Sequence, residues 1–391
     1  MDIIKKKELE LYIHIPCCIQ KCRYCDFLSA PADDVTKEAY MKALCREITE
    51  KSKKYKAYEV TTVFVGGGTP TAVAPEWIEL VMKTVKTHYN LTEDAEITLE
   101  MNPGTVDQDA LEKYKKAGIN RLSIGLQSTD DVELRLLGRI HSYGQFLETY
   151  RQAREAGFEN INVDIMSALP EQTLESYIQT LERVTGLVPP PEHISAYSLI
   201  IEEETPFYEA FTSNRLPLPD EDTERKMYEV TEKLLKERGY ERYEISNYAK
   251  PGKECRHNLG YWERKNYVGF GIGAASLVEN VRFSNSRDRN KYLGNPCMCE
   301  ENQQILSIAE QIEETMFLGL RKTDGVSFQS FEECFKVSLM QVYDRIIEKY
   351  VRNGLLMLVE KQGGDISLCL TKKGMDVSNL VMADFLEPSI F

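Results

Sequence analysis

Short runs of β-branched or alternating apolar residues recur through the first half of the chain, at residues 11–15, 61–65, 97–101, 121–126, 161–166 and 193–199. Each is short enough for a strand and is followed by a longer stretch with the apolar spacing of an amphipathic helix. The helical stretches fall at residues 36–56, 75–89, 107–117, two across 130–156, and 174–184. Regular alternation of strand and helix requires parallel strands joined by right-handed crossovers, and six or so such units predict a barrel or an open part-barrel. The strands' C-terminal edge then carries the chemistry. After residue 205 the rhythm changes, with a Pro-rich link at 216–219, a long helix over 221–238 and an extended run over 243–248. Helical patterns at 308–320, 327–335 and 339–353 precede two apolar runs, 355–360 and 366–370, joined by a turn at Gly363-Gly364. That order predicts a smaller winged-helix-like α+β unit. The division expected is a barrel core over 1–205, a barrel-extending and linking region over 206–300, and a C-terminal unit over 301–391.

With 391 residues, the chain exceeds a single hydrophobic core, in line with one large unit and one smaller. Its charge changes the picture more. Lys+Arg 48 against Asp+Glu 62 leaves a net −14, and residues 301–391 carry 9 basic against 14 acidic side chains. A winged helix of that sign lacks the electrostatic footprint of a nucleic-acid binder, so no nucleic-acid partner is expected. No apolar run approaches the roughly eighteen residues of a membrane span, and the start of the chain lacks a signal-peptide pattern. A cytoplasmic protein is expected, and its ten cysteines read as thiols or metal ligands rather than a disulfide framework.

Four of those cysteines, Cys17, Cys18, Cys22 and Cys25, directly follow the first predicted strand; the rest are scattered. Cys18, Cys22 and Cys25 make a C-x3-C-x2-C triplet, whereas Cys17 lengthens the first spacing and reads as a bystander. A structural zinc site closes with four protein ligands, while three thiolates on a four-iron cluster leave one iron open. Zinc completed by His14 or a distant residue is the alternative. At the end of the next strand stands Gly66-Gly67-Gly68-Thr69-Pro70. Such a run either makes a tight turn or lets backbone groups approach a ligand closely.

Triplet and glycine run together resemble the radical S-adenosylmethionine (SAM) superfamily. Further segments narrow the resemblance: Tyr12-Ile13-His14-Ile15-Pro16, Cys25-Asp26-Phe27, Glu100-Met101-Asn102-Pro103-Gly104, Ser123-Ile124-Gly125-Leu126-Gln127-Ser128 and Arg256-His257-Asn258-Leu259-Gly260-Tyr261-Trp262. They are similar to the coproporphyrinogen-oxidase-like group over nearly the whole chain. The resemblance implies an α/β fold, a partial (β/α)6 radical SAM barrel with the smaller C-terminal domain. It implies a [4Fe-4S] cluster on Cys18, Cys22 and Cys25, whose open iron takes the amino and carboxylate groups of SAM. Around that nucleotide it places Tyr12, Tyr24, Gly67, Gly68, Thr69, Glu100, Gln127, Arg139 and Asp164. Without a ligand, Glu100, Gln127 and Asp164 would read as a polar layer closing the barrel mouth, and Arg139 as a surface ion pair. His257, with Tyr261 and Trp262, could offer heme an iron ligand or a planar wall; on chemistry alone it is a packed aromatic segment.

Radical chemistry in this superfamily begins with one-electron reduction of the cluster and homolysis of SAM to a 5′-deoxyadenosyl radical. Within the group, the oxygen-independent coproporphyrinogen III oxidase pattern has a further Cys two residues after the triplet and an N-terminal extension. Phe27 occupies the first position, and the first strand already begins near residue 11. Both departures favour the group's heme-chaperone branch, which binds heme as cargo and delivers it to acceptor hemoproteins. Peripheral membrane contact through such acceptors and a homodimer are further expectations. The oxidase, and a structural metal protein whose C-terminal unit binds a partner, remain the alternatives.

Overall fold

In β1 (Lys7–Ile15), Leu9, Leu11, Ile13 and Ile15 are fully buried in the main hydrophobic core, while Glu10, Tyr12 and His14 alternate with them on the opposite face. The computed structural model describes residues 7–361 and 363–386. Five more strands repeat this alternation: β2 (Tyr58–Gly67), β3 (Asn90–Met101), β4 (Arg121–Gln127), β5 (Ile161–Ser167) and β6 (His193–Ser198). They pair in chain order and in parallel, in registers such as Leu11 with Val63, Val63 with Ile97, Leu122 with Ile161 and Val163 with Ile194. The connecting helices are α1 (Asp34–Lys51), α2 (Pro75–His88), α3 (Gln108–Ala117), α4 (Asp131–Leu137), α5 (Tyr143–Glu155) and α6 (Leu174–Thr185). Asp33, Asp107 and Asp130 cap α1, α3 and α4, and Ser142 and Thr173 close capping boxes on α5 and α6. The fold is the expected α/β partial barrel.

The sheet continues beyond the six strands. A long helix α7 (Glu221–Glu237) leads to β7 (Glu241–Arg242) and β8 (Asn247–Ala249), and β8 runs antiparallel to β6. The single extended run expected over 243–248 is thus broken. Buried Glu244 forms an isolated bridge with Lys322, and its carboxylate accepts from the Ser246 N–H. After α8 (Arg256–Trp262), β9 (Tyr267–Phe270) pairs in parallel with β1, followed by antiparallel β10 (Ala275–Val278), β11 (Val281–Asn285) and β12 (Glu300–Ile305). The order is β12-β11-β10-β9-β1-β2-β3-β4-β5-β6-β8-β7, so among the described residues strand pairing does not close the barrel. The expected helix over 36–56 stops at Lys51, where a single 3-10 turn redirects the chain into β2.

A second core, including Ile312, Met316, Phe331, Val342 and Leu368, belongs to the C-terminal unit. There α9 (Ile308–Gly319), α10 (Phe328–Phe335) and α11 (Leu339–Arg352) pack with an antiparallel sheet of β13 (Val326–Ser327), β15 (Ile366–Leu370) and β14 (Leu356–Glu360), the winged-helix-like order. Among the described residues no helix is long and apolar enough to cross a membrane.

One polar contact ties α1 to the added strands. The Glu47 carboxylate, 0% exposed, pairs with Lys51 at 2.8 Å and accepts from the Gly271 N–H, the Asn285 amide and the Tyr292 hydroxyl. Removing one partner of a buried ion pair leaves an uncompensated charge, which costs about 3 kcal/mol or more. Lys51→Met is therefore expected to lower the unfolding free energy by about 3 kcal/mol in a denaturant titration, and the double variant Lys51→Met/Glu47→Gln should recover part of that loss.

Candidate functional site

The loop after β1 is fastened at its base. Cys17–Cys18 bridges Ala30–Pro31 in a short parallel pair, and the Ala30 N–H donates to the Pro16 carbonyl at 2.9 Å. The end of β2 runs against this loop, since the N–H groups of Gly68 and Thr69 donate to the carbonyls of Ile15 and Cys17. A Cβ at Gly68 would lie 3.0 Å from the Cys18 Sγ and 2.7 Å from the Cys17 carbonyl oxygen. Gly67 has φ +114°, and a Cβ there would meet the His14 ring at 2.5 Å. The glycine run is thus what lets the β2 backbone lie against the cysteines.

Side chains from three strand ends complete the site. Arg139, after α4, donates to the Asn102 Oδ1 at 2.6 Å, to the Gly125 carbonyl and to the Cys22 Sγ at 3.6 Å. Asn102 donates in turn to the Thr69 hydroxyl at 2.8 Å, which donates to the Cys18 Sγ at 3.7 Å. One chain of polar contacts therefore connects two of the three cysteines to β3 and β4. Glu100 accepts from the Gly67 N–H at 3.1 Å, and burial together with the charge of Asp164 pushes its carboxyl up to about 7. Asp164 is held by Asn162 at 2.7 Å and Ser123 at 3.4 Å; burial raises its carboxyl as well. Gln127 sits at a register shift between β4 and β5 with φ +74°, a left-handed conformation for a non-glycine residue. His14 fixes Tyr12: its Nε2 contacts the Leu28 carbonyl, which can only accept, so its Nδ1 accepts from the Tyr12 hydroxyl at 2.9 Å.

These groups surround two adjoining cavities. The smaller, about 130 Å³, is lined by Cys18, Cys22, Cys25, Tyr24, Gly67, Gly68, Thr69, Glu100, Gln127, Arg139 and Asp164. The larger, about 450 Å³, shares Tyr24, Cys25, Phe27, Glu100, Gln127 and Asp164 with it and extends past Tyr12, Phe64, His257 and Tyr261. That volume lies within the usual range of small-molecule sites. Every residue expected at the cluster and the nucleotide, and His257 with Tyr261, therefore lies at one of the two, whereas Trp262 lines neither. Cys17 instead lines a different cavity beside Leu28 and Tyr40, and burial pushes its thiol up to about 11. His257 is 1% exposed, with Nδ1 2.6 Å from the Thr62 hydroxyl, Nε2 3.0 Å from the Tyr261 hydroxyl and its ring stacked on Phe64. Burial lowers its pKa to about 3. Both nitrogens are engaged, so a bond from either to iron would first release Thr62 or Tyr261.

Asn102, Asn162 and Arg121 are lining residues that motif reading passed over; their position on the inward face of a strand or at its end was the available signal. Among the described residues no three His, Cys, Asp or Glu side chains converge on one point as ligands of a single ion do. Thiolates bound to different irons of a cubane stand farther apart than that. Three free thiols around a cavity wall suit such a cluster in donor chemistry and arrangement.

Comparison with known proteins agrees. Residues 12–184 match the radical SAM superfamily and residues 306–377 match the HemN C-terminal domain. The heme chaperone HemW of Bacillus subtilis (strain 168) is 36% identical over 96% of this chain and 98% of its own. The heme chaperone HemW of Escherichia coli (strain K12) is 41% identical over 71% of this chain and 72% of its own. Among solved structures, coproporphyrinogen III oxidase (HemN) from Escherichia coli, a radical SAM enzyme, superposes with a TM-score of 0.82 at 23% identity, over 97% of this chain and 90% of that one.

The geometry separates the triplet from Cys17. After anaerobic reconstitution with iron and sulfide, Cys18→Ala, Cys22→Ala and Cys25→Ala are each expected to abolish the absorbance of a [4Fe-4S] cluster. Cys17→Ala should retain it. Loss with Cys17→Ala and retention with Cys18→Ala would shift the first ligand by one position.

Proposed function

Because the chain belongs to the radical SAM superfamily and, within it, to the HemW family, we propose that it is a heme chaperone that binds heme and delivers it to acceptor hemoproteins. Superfamily membership implies a [4Fe-4S] cluster and SAM. In this reading Cys18, Cys22 and Cys25 would hold the cluster through their thiolates, with SAM beside it. Gly67, Gly68 and Thr69 offer backbone groups to its amino end, and Tyr12, Tyr24, Glu100, Gln127, Arg139 and Asp164 surround the rest. When bound, the cluster and SAM supply one-electron chemistry. This chain's own residues bind, orient and hold charge around them.

The observation that carries the chaperone reading is the similarity to curated heme chaperones over nearly the full length, together with the residue at position 27. The oxidase pattern places a further Cys there, whereas Phe27 is 62% exposed and forms part of both cavity walls. An exposed aromatic ring at the mouth, with Ile200 beside the same cavity, gives a planar apolar cargo a surface to rest on. His257 contributes a ring face stacked on Phe64, with its nitrogens committed to Thr62 and Tyr261.

The test is an anaerobically reconstituted sample titrated with heme and, in parallel, incubated with SAM and coproporphyrinogen. Saturable heme binding, transfer to an apo-hemoprotein and no decarboxylated product are expected. Porphyrin product without saturable heme binding would make the chain an oxidase.

Glu100 gives SAM binding a pH dependence. Its carboxyl is neutral below about 7 and ionised above it, and only the ionised form attracts the cationic sulfonium. SAM affinity, read by equilibrium dialysis, is expected to rise several-fold between about pH 6 and pH 8, and Glu100→Gln should flatten that rise.

A further inference from the structure

The floor of the larger cavity carries a charge that the cluster and nucleotide do not use. Arg121 opens β4, is 2% exposed, and lines the cavity wall. Its Nε has no hydrogen-bond partner, and among the described residues no hydrogen bond or ion pair reaches its guanidinium. A cation so far from water is costly unless paired.

The groups whose charge or dipole it feels are committed elsewhere. They are Cys255, Glu96, Tyr243 and Asp164. Both oxygens of Glu96 accept from the start of α8, from the N–H groups of Arg256 and His257 at 3.2 Å each. The Asp164 carboxylate accepts instead from Asn162 and Ser123. The Tyr243 hydroxyl contacts His193 at 2.8 Å and accepts from the Cys255 N–H. Thr98, directly in register with Arg121, also leaves its buried hydroxyl without a partner. A guanidinium Nε and a hydroxyl without partners thus lie on adjacent strands, the guanidinium at the cavity floor.

We infer that Arg121 is the receptor for a carboxylate of the molecule that enters the larger cavity, which under the heme reading is a heme propionate. A guanidinium matches a carboxylate with two parallel N–H···O bonds, and a buried site makes such a pair selective against neutral isosteres. Position separates this carboxylate from one at the cluster. Arg121 and Gln127 mark opposite ends of β4, and at roughly 3.3 Å per residue the strand places their Cα atoms about 20 Å apart, with the Arg121 charge still reaching Glu100 and Asp164 between them. Gln127 is the end beside the cysteines. The assignment rests on the proposed heme binding, and the experiment separates the two.

Heme and heme dimethyl ester, whose propionates are masked, are titrated by absorbance into the full-length wild-type protein and into Arg121→Met and Arg121→Lys. The wild type should prefer the free acid by about tenfold or more. Arg121→Met should bring acid and ester within about twofold, and Arg121→Lys should restore part of the preference, with cluster absorbance of each variant as the check on folding. Equal binding of acid and ester by the wild type, or an undiminished preference in Arg121→Met, would overturn the assignment. So would loss of SAM affinity with the acid-to-ester ratio unchanged, because the guanidinium would then serve the methionyl carboxylate. Failure of the wild type to bind heme at all would overturn the heme reading instead. Arg121 is then read with coproporphyrinogen, a tetracarboxylate, where equal affinity in wild type and Arg121→Met would overturn it.

Discussion

The structure depends on one constraint, that a barrel with a polar inner face must pair its buried groups across strands. A buried polar group without a partner forfeits its hydration, and an unpaired charge forfeits far more. Here the inward positions carry Glu10, Thr62, Glu96, Arg121, Asn162 and His193, all nearly excluded from solvent. Asn162 shows how the debt is met: its amide donates to Ser123 and Asp164, and its oxygen accepts from His193 and Ser195. One side chain thereby fixes β4, β5 and β6 relative to one another. The apolar outer face holds the helices on, but the inner network sets the strand ends to which the site residues belong.

At the C-terminal edge the same logic reaches the cysteine loop. A loop carrying three thiols would wander if only its ends were held, and its middle makes few backbone hydrogen bonds of its own. Arg139 and Thr69 reach into it with contacts to Cys22 and Cys18, and Asn102 links the two. The surface ion pair that Arg139 suggests in isolation is replaced by a guanidinium engaged on three sides. The close approach of β2 requires Gly68, and the backbone of Gly67 needs a positive φ, so the glycine run and the cysteine spacing describe one piece of geometry from its two sides.

The parts of this arrangement legible in the sequence are those encoded locally. Cys18, Cys22 and Cys25 announce themselves by spacing, and the outward alternation of residues such as Leu9, Leu11 and Ile13 announces a strand. The four strands between residues 267 and 305 were not legible, because β9 is only four residues long and contains Gly269, and β12 is almost wholly polar and exposed, so neither shows an alternation of apolar and polar residues. Their place in the sheet comes from pairing with β1 and from the Glu47 cluster, both long-range. Arg121 and Asn162 were illegible for a related reason: each looks like an ordinary polar interruption of an apolar run until the neighbouring strands place it inside the barrel. The segment around His257 was legible as a motif, but its role as a buried, doubly hydrogen-bonded ring depends on Thr62, nearly two hundred residues earlier.

Charge inside the two cavities is distributed by depth. Near the cysteines, Glu100 lies in the field of Asp164 in a poorly solvated space, and burial raises both carboxyls. At the floor, Arg121 is cationic at any ordinary pH and its Nε has no hydrogen-bond partner. A cationic ligand at the upper end lowers the cost of ionising the carboxyls, and the field of those carboxylates reaches Arg121, since Asp164 is among the groups it senses. An anionic ligand at the floor compensates Arg121 but raises the cost of ionising Asp164. The two ends are therefore coupled through both carboxyl groups, and by linkage whatever the upper ligand does to affinity at the floor, the lower ligand does to affinity above. Because Asp164 and Glu100 are held in place by hydrogen bonds, the coupling needs no movement of the barrel.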